Sequence, residues 1–295
     1  MSSRSCSIKS FAKLNLDLRV LHKRADGFHE LRTIFQTISL HDTIQIELDF
    51  AKRTQIDVSS PIEIVDNVVV RAARLVLDEL KLRAWVRFFI QKRIPLGAGL
   101  GGGSSNAATV LLTLPALAGK TLGRETLFRF AKMLGSDVPF FLHGGTALGL
   151  GRGTELYPLP DLPSHHALVV STGIHVSTPE AYRSLGRALT SSDDSPILRE
   201  FQTIAWTLNG SRLEQLPLKN DFEEVVFRIH PQLAAVSRKL RRLGAKLVRM
   251  TGSGSAVFGV FSSGEAVRQA ARSFPAEGAF PVRFLTRSQY RRAWK

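Results

Sequence analysis

The chain has 295 residues, 44% hydrophobic and 22% charged, a globular composition long enough for two medium cores and neither disordered nor fibrous. No apolar run approaches the ~20 residues of a membrane span, and the first twenty residues hold no apolar leader core, so a cytoplasmic protein is expected. Cys6 is the only cysteine, which excludes an internal disulfide, while a net charge of +15 suits an anionic partner, either nucleic acid or a phosphorylated small molecule.

Residues 7–20 and 31–50 read as strands, and "TIQIEL" (43–48) alternates polar and apolar residues with a period of two. Between them, "RADGFHE" (24–30) places a turn at Asp26-Gly27. Asp66-Asn67 can cap a helix whose buried face is Val69, Ala72, Val76 and Leu80. A β-rich run, 84–91, ends before Pro95. A helix over about 104–118 has Ser104, Ser105 and Asn106 as N-cap candidates, and another over about 124–134 stops at Gly135. "SDVPFFLHGGTALGLGRG" (136–153) reads as a loop followed by a glycine-rich strand. "LYPLPDLPS" (156–164) holds three prolines and divides the chain into expected domains 1–158 and 159–295. Beyond it come a strand in "HALVVS", helices near 178–188 and 221–243, and a second glycine loop, "TGSGSAVFGVF" (251–261), leading into a strand. A helix near 264–273 and a strand near 280–286 close a mixed α+β order without repeats. Basic residues gather modestly at 238–249 and 287–295, where solvated helix and tail faces are the simplest reading.

The stretch "IPLGAGLGGGSSNAATVLL" (94–112) carries most of the functional information. A flexible linker does not belong between a tight strand and a capped helix. The dinucleotide pattern G-x-G-x-x-G is met literally by Gly97 to Gly102, yet the first acidic residue afterwards, Glu125, lies on a helix pattern. No Gly-Lys-Ser or Gly-Lys-Thr follows, and the protein-kinase companions H-R-D and D-F-G do not occur. What these alternatives share is physical. Glycines let backbone N–H groups approach phosphate oxygens, and a helix N-terminus adds about half a positive charge. The stretch therefore reads as a triphosphate cradle that is not a Walker loop.

"PLGAGLGGGSSNAA" resembles the central motif of the GHMP kinases, the family of galactose, homoserine, mevalonate and phosphomevalonate kinases. "FAKLNLDLRV" (11–20) is similar to the family's first motif and "TGSGSAVFGVF" to its third, in the right order over about 250 residues. "KRADGFHEL", "VRAARLV", "GSDVPFFL" and "KNDFE" narrow the resemblance to one branch. That branch phosphorylates the 2-hydroxyl of a methylerythritol carried on cytidine diphosphate, in the methylerythritol phosphate route to isoprenoid precursors. The resemblance implies a two-domain α+β fold: an N-terminal domain with a left-handed βαβ unit, a ferredoxin-like C-terminal domain, and a cleft between them.

It also implies roles. Asp137 corresponds to the aspartate that accepts the hydroxyl proton, and Lys13 to the cation beside it. ATP would lie on Pro95, Leu96, Gly97, Ala98, Gly99, Leu100, Gly101, Gly102, Gly103, Ser104 and Ser105, with Lys92 just before them. Magnesium is expected with ATP, and Ser105 is the expected protein contact. Asn15 shares a strand face with Lys13 and is assigned to substrate. Phe28 and His29 correspond to the pair that holds the cytosine ring, Phe28 standing where the family usually has tyrosine. Thr178 and Gly252, with Ser253 and Gly254, fall near the substrate. A homoserine- or mevalonate-type kinase would share the loop without needing "RADGFHEL". A basic nucleic-acid binder would explain the charge but not the loop.

Overall fold

The computed structural model describes residues 3–61, 67–186, 195–208, 210, 212–276 and 278–292. In chain order the first half holds β1 (Arg4–Lys23), β2 (His29–Phe50), β3 (Gln55–Ser59), α1 (Val68–Glu79), β4 (Ala84–Gln91), α2 (Gly102–Leu117), α3 (Arg124–Leu134), α4 (Val138–Phe141), β5 (Thr146–Gly151) and β6 (Glu155–Pro158). β1 and β2 form one long antiparallel hairpin, from Arg4 opposite Leu48 to Lys23 opposite His29. The length of β2 lets its other edge carry two strands: β4 along 43–50 and β5 along 31–36. β3 lies outside β4 and parallel to it, so β3–α1–β4 is a βαβ unit, and β6 closes the far edge. Alternation in 43–48 settles which face is buried: Ile44, Ile46 and Leu48 are inside while Gln45 is exposed.

Asn67 caps α1 by accepting from the backbone N–H of Val69 at 3.0 Å, and Val69, Ala72 and Val76 are buried as the periodicity requires. Asp66, its expected alternative, lies outside the described residues. α2 begins two residues earlier than expected. Its N-cap is Gly101, at φ 71°, with no side-chain cap bond, so Ser104, Ser105 and Asn106 are inside the helix and do not cap it. A left-handed residue is what glycine supplies most cheaply, and here it turns the loop into the helix.

The second half continues with β7 (His166–Ser171), α5 (Thr178–Ser184), α6 (Ser195–Thr207), α7 (Phe222–Ile229), α8 (Pro231–Arg242), β8 (Leu247–Met250), β9 (Val257–Phe261), α9 (Gly264–Ala271), β10 (Gly278–Arg283) and α10 (Arg287–Arg292). Its sheet is fully antiparallel, in the order β10-β7-β9-β8, with helical crossovers before β8 and after β9 as in a ferredoxin-like domain. The helix expected over 221–243 is two helices. His230 (φ −123°, ψ 78°) precedes Pro231, which has no N–H to donate and disfavours helical backbone before it. Residues 187 and 188, the expected end of the 178–188 helix, and 293–295 of the basic tail lie outside the described residues. Strands β3, β6 and β8 and helices α6 and α10 had no clear sequence signal.

Three apolar clusters form the interior. One lies between the first sheet and helices α1 to α4, one packs the second half against Leu18 and Val20 of β1, and one joins the two sheets through Leu14, Leu16, Ile34, Val169 and Phe258. β1 is the seam, its residues 10–21 being buried throughout. The backbone N–H of Leu18 donates to the carbonyl of Lys219 at 2.8 Å, and that of Val20 to Asp221 Oδ2 at 2.9 Å. Asp17 accepts from the N–H of Lys219 at 2.6 Å and pairs with Arg19 at 2.9 Å. Burial pushes the Asp17 carboxyl upward, with Arg19 opposing. The segment "KNDFE" thus reads as the clasp that fixes the second half onto β1.

Candidate active site

Three segments distant in sequence meet on the wall of one cleft of about 950 Å³. On β1, the N–H of Lys13 donates to the carbonyl of Leu100 at 3.0 Å, which ties the strand to the glycine loop. The N–H of Asn15 donates to Thr251 Oγ1 at 3.0 Å, and that hydroxyl donates to the carbonyl of Gly99 at 3.2 Å. The N–H of Ala256 donates to the carbonyl of Ala98 at 3.1 Å. The fit leaves no room for a side chain. A Cβ on Gly99 (φ 73°) would lie 2.2 Å from the carbonyl oxygen of Thr251, and one on Gly101 2.9 Å from the Phe141 ring.

At the inner end stands the carboxylate of Asp137, the residue before α4, whose side chain caps nothing. Lys13 Nζ is 3.4 Å from Asp137 Oδ2, with side-chain exposures of 3% and 34%. The same ammonium donates to Asn15 Oδ1 at 2.5 Å and sits 5.5 Å from the centre of the Phe35 ring. Asn15 Nδ2 donates in turn to Thr33 Oγ1 at 2.8 Å. The lysine is held rigidly and the carboxylate is presented to solvent. Beside them α2 begins, and with no side-chain cap its first N–H groups are free to meet an acceptor. Ser104, in its first turn, and Gly97 and Gly99 line the cleft.

The outer end is aromatic. His29 stacks on Tyr182 of α5 with ring centres 4.7 Å apart and planes 20° from parallel. Tyr182 meets Phe222 edge-on at 4.8 Å. Burial, reinforced by the negative charge of Asp137, pushes the Tyr182 phenol far above its usual range, so it stays neutral. Burial and the nearby Lys23 lower His29, which favours a neutral ring with one donor and one acceptor nitrogen. Phe28 is 49% exposed, and the Arg152 guanidinium lies 3.8 Å from the centre of its ring. Thr178 Oγ1 and Ser253 Oγ are 2.8 Å apart and join α5 to the turn before β9. Gly252 is fixed from behind, its carbonyl accepting from Asn220 Nδ2 at 2.9 Å.

Of the residues singled out in the sequence, Lys13, Asn15, Phe28, His29, Gly97, Gly99, Ser104, Asp137, Thr178, Gly252, Ser253 and Gly254 all line this cleft. Ala98 and Leu100 are buried in the core that joins the sheets, Leu96 is exposed, and Gly101, Gly102 and Gly103 form the start of α2. Two of the residues stand off the cleft wall. Lys92 Nζ is turned to the buried Asp42 and sits outside the cleft lining; Asp42 also accepts from the N–H groups of Arg93 and Ile94. Ser105 is fully buried, accepting from Ser10 Oγ at 2.7 Å, because successive helical residues turn by about 100° and only Ser104 faces the cleft. Tyr182, inside the expected 178–188 helix, and Arg152, near the end of the expected glycine-rich strand, were not singled out. Tyr290 of α10 was also not singled out. Its hydroxyl donates to the carbonyl of Phe141 at 2.5 Å and supports α4 from below.

The family profile "GHMP kinases N terminal domain" matches residues 67–145, and "GHMP kinases C terminal" matches residues 182–279. The chain is similar to the 4-diphosphocytidyl-2-C-methyl-D-erythritol kinase of Solibacter usitatus, 48% identical over 100% of this chain and 93% of that one. It is similar to the enzyme of the same name from Thermus thermophilus, 40% identical over 90% of this chain and 92% of the other. Among solved structures, a crystal structure of 4-(cytidine 5'-diphospho)-2C-methyl-D-erythritol kinase superposes with a TM-score of 0.78 at 36% identity, covering 95% of this chain and 99% of that one. A homoserine kinase from Cytophaga hutchinsonii shares the fold at a TM-score of 0.68 and 18% identity, with 95% of each chain covered.

Proposed function

The chain belongs to the GHMP kinases, in the branch of the 4-diphosphocytidyl-2-C-methyl-D-erythritol kinases, and from that premise we propose how its own residues carry the reaction. The reaction is transfer of the γ-phosphoryl group of ATP to the 2-hydroxyl of 4-diphosphocytidyl-2-C-methyl-D-erythritol, in the methylerythritol phosphate route of isoprenoid precursor biosynthesis. We read the chain as two domains, 1–158 and 159–295, with the reacting groups between them. The observation that carries the reading is the Lys13–Asp137 pair at 3.4 Å, beside an uncapped helix N-terminus and within one cleft with the rings of Phe28, His29 and Tyr182.

Phosphoryl transfer asks the protein for position and charge more than for covalent chemistry. Asp137 accepts the proton of the attacking hydroxyl, which it can reach because it is presented to the cleft and caps no helix. Lys13 stands over both that carboxylate and Asn15, so its charge faces the place where the hydroxyl must sit. The first N–H groups of α2 donate to phosphate oxygens, and the glycines at 97 and 99 let backbone come close where a Cβ would collide. Magnesium, when bound with ATP, neutralises developing charge. Among the described residues no group of three or more His, Cys, Asp or Glu could hold a metal by itself, and Ser104 and Asp137, both on the cleft wall, would be the residues to hold the ion of a magnesium–nucleotide complex. At the outer end a pyrimidine fits against Phe28 and Tyr182, with the ring nitrogens of His29 reading its edge.

The test is ADP release from Mg-ATP with 4-diphosphocytidyl-2-C-methyl-D-erythritol, homoserine and mevalonate in parallel. Turnover of the cytidyl substrate alone is expected. Turnover of homoserine or mevalonate instead would keep the phosphate cradle and discard the aromatic end as a cytosine site.

A further inference from the structure

Arg152 lies in the turn between β5 and β6, more than a hundred residues from the loop it reaches. Its Nη2 donates to Asp26 Oδ2 at 3.0 Å and its Nε to the same oxygen at 3.3 Å. Asp26 Oδ1 accepts from the backbone N–H of Phe28 at 3.1 Å, and Arg24 Nε donates to Oδ2 at 3.1 Å. The guanidinium that grips Asp26 is also the one centred 3.8 Å over the Phe28 ring. One side chain from another strand pair thus covers the Phe28 ring and braces the Asp26 carboxylate that holds the Phe28 backbone. The arrangement has no evident packing purpose, since Arg152 and Asp26 have side-chain exposures of 38% and 32%. It does have a geometric consequence for the cleft. A guanidinium occupying one face of the ring leaves the other for a planar ligand, and holds that face at a set angle.

We propose that Arg152 is a positioning residue for substrate recognition, setting Phe28 as the platform on which the cytosine ring stacks. It acts through Phe28 and Asp26 and touches no reacting atom. The inference rests on the cytidyl substrate read above, and deepens it.

The full chain should be compared as wild type, Arg152→Leu, Arg152→Lys, Phe28→Leu and the Arg152→Leu/Phe28→Leu double variant. Steady-state constants and calorimetric binding of cytidine 5′-diphosphate would be measured for each. Arg152→Leu is expected to raise KM for the cytidyl substrate and Kd for the diphosphate about tenfold, the scale of one cation–π contact with its ion pair, while kcat stays within about twofold. Arg152→Lys should recover part of the loss, since it keeps the charge without the planar fork. In the Phe28→Leu background, Arg152→Leu should add nothing further, because its route of action is already gone. Additive losses would instead mean that Arg152 meets the ligand's phosphates directly and would overturn the proposal. So would a fall in kcat at constant KM, or unchanged diphosphate binding by Arg152→Leu. Failure of the wild type to bind the diphosphate would take down the cytidyl reading and this inference together; binding that ignores Arg152 takes down this inference alone.

Discussion

The two ends of the cleft are built by different means. At the inner end Lys13 and Asn15 are almost wholly buried on a strand that both sheets enclose, and hydrogen bonds to the Leu100 and Gly99 carbonyls and through the Thr251 hydroxyl fix the segments around them. At the outer end Phe28 is half exposed on a turn, and its surroundings are ion pairs: Arg152–Asp26 at 3.0 Å and Arg24–Glu30 at 2.5 Å. Exposed ion pairs are worth ~0–1 kcal/mol each, whereas a disrupted core site costs several. Chemistry therefore sits where displacement is expensive, and recognition sits where residues can change without endangering the fold. This division predicts that inner substitutions act on kcat, and on stability as well where the side chain is buried, and outer ones on KM.

Asp137→Asn gives the sharpest contrast. Loss of a general base costs ~10²–10⁴-fold in kcat. Because the side chain is one-third exposed and caps nothing, the unfolding midpoint should barely move. Lys13→Ala should lose comparable activity and also stability, by about 1–3 kcal/mol, since it strips a buried donor from Asn15. Steady-state kinetics with urea denaturation on both variants would decide this. Turnover near the wild-type rate in either variant removes that residue from the mechanism.

Gly99→Ala tests the seam without touching a charged group. At φ 73° and 2.2 Å from a backbone oxygen, the new methyl carries ~1–2 kcal/mol of left-handed strain plus a collision that only movement of the 251–256 turn relieves. Gly97→Ala is the control. Its φ is also positive, at 61°, but its methyl meets the His175 side chain, which can swing away. The expected outcome is a larger stability and kcat loss for Gly99→Ala than for Gly97→Ala. Equal losses would mean that strain alone matters and that the docking of the third motif onto the loop does not.

The same contrast explains what the sequence made legible. The glycine loop, "FAKLNLDLRV" and "TGSGSAVFGVF" were readable because close backbone approach allows few residue types, and the structure brings these segments together at Lys13, Gly99 and Thr251. The helix over 68–79 and the alternation of 43–48 were readable because burial is periodic. What the sequence left illegible was long-range. Nothing near Lys92 announces that Asp42, fifty positions earlier, has claimed its ammonium. Ser104 and Ser105 look alike until the start of α2 is fixed at Gly102, which decides which one faces the cleft. Tyr182, Arg152 and Tyr290 gain their roles from partners on other elements, and no local pattern records those partners.

At the outer end, Phe28→Leu should raise KM for the cytidyl substrate by about tenfold, from the ~1–3 kcal/mol that base–aromatic stacking supplies, with kcat and the unfolding midpoint nearly constant. KM for ATP should not change. A loss expressed mainly in kcat would erase the distinction between the two ends, because the mouth would then be setting the geometry of the reacting hydroxyl.

The smallest expected effect concerns Asp26, and it reads the outer ion pairs directly. The hydrogen bond from Arg152, helped by the backbone N–H of Phe28 and by Arg24, holds this carboxyl at about 2, against ~3.9 for an unperturbed aspartate. A carboxyl depressed in the folded state contributes order that is fully present above its unfolded value and is lost as pH falls through the folded one. For Asp26 that window runs from about 4 down to about 2, so the turn should be indifferent to pH through the neutral range. Carbon-13 NMR titration of the carboxyl in the full chain would follow it. Arg152→Leu should move the midpoint up toward the ordinary aspartate value, and Arg24→Ala should move it less. A wild-type midpoint already at the ordinary value would mean that the Arg152–Asp26 pair is not kept in solution. Phe28 would then be oriented by the ligand and not before it arrives, and the outer end would differ from the inner one still more than the static geometry implies.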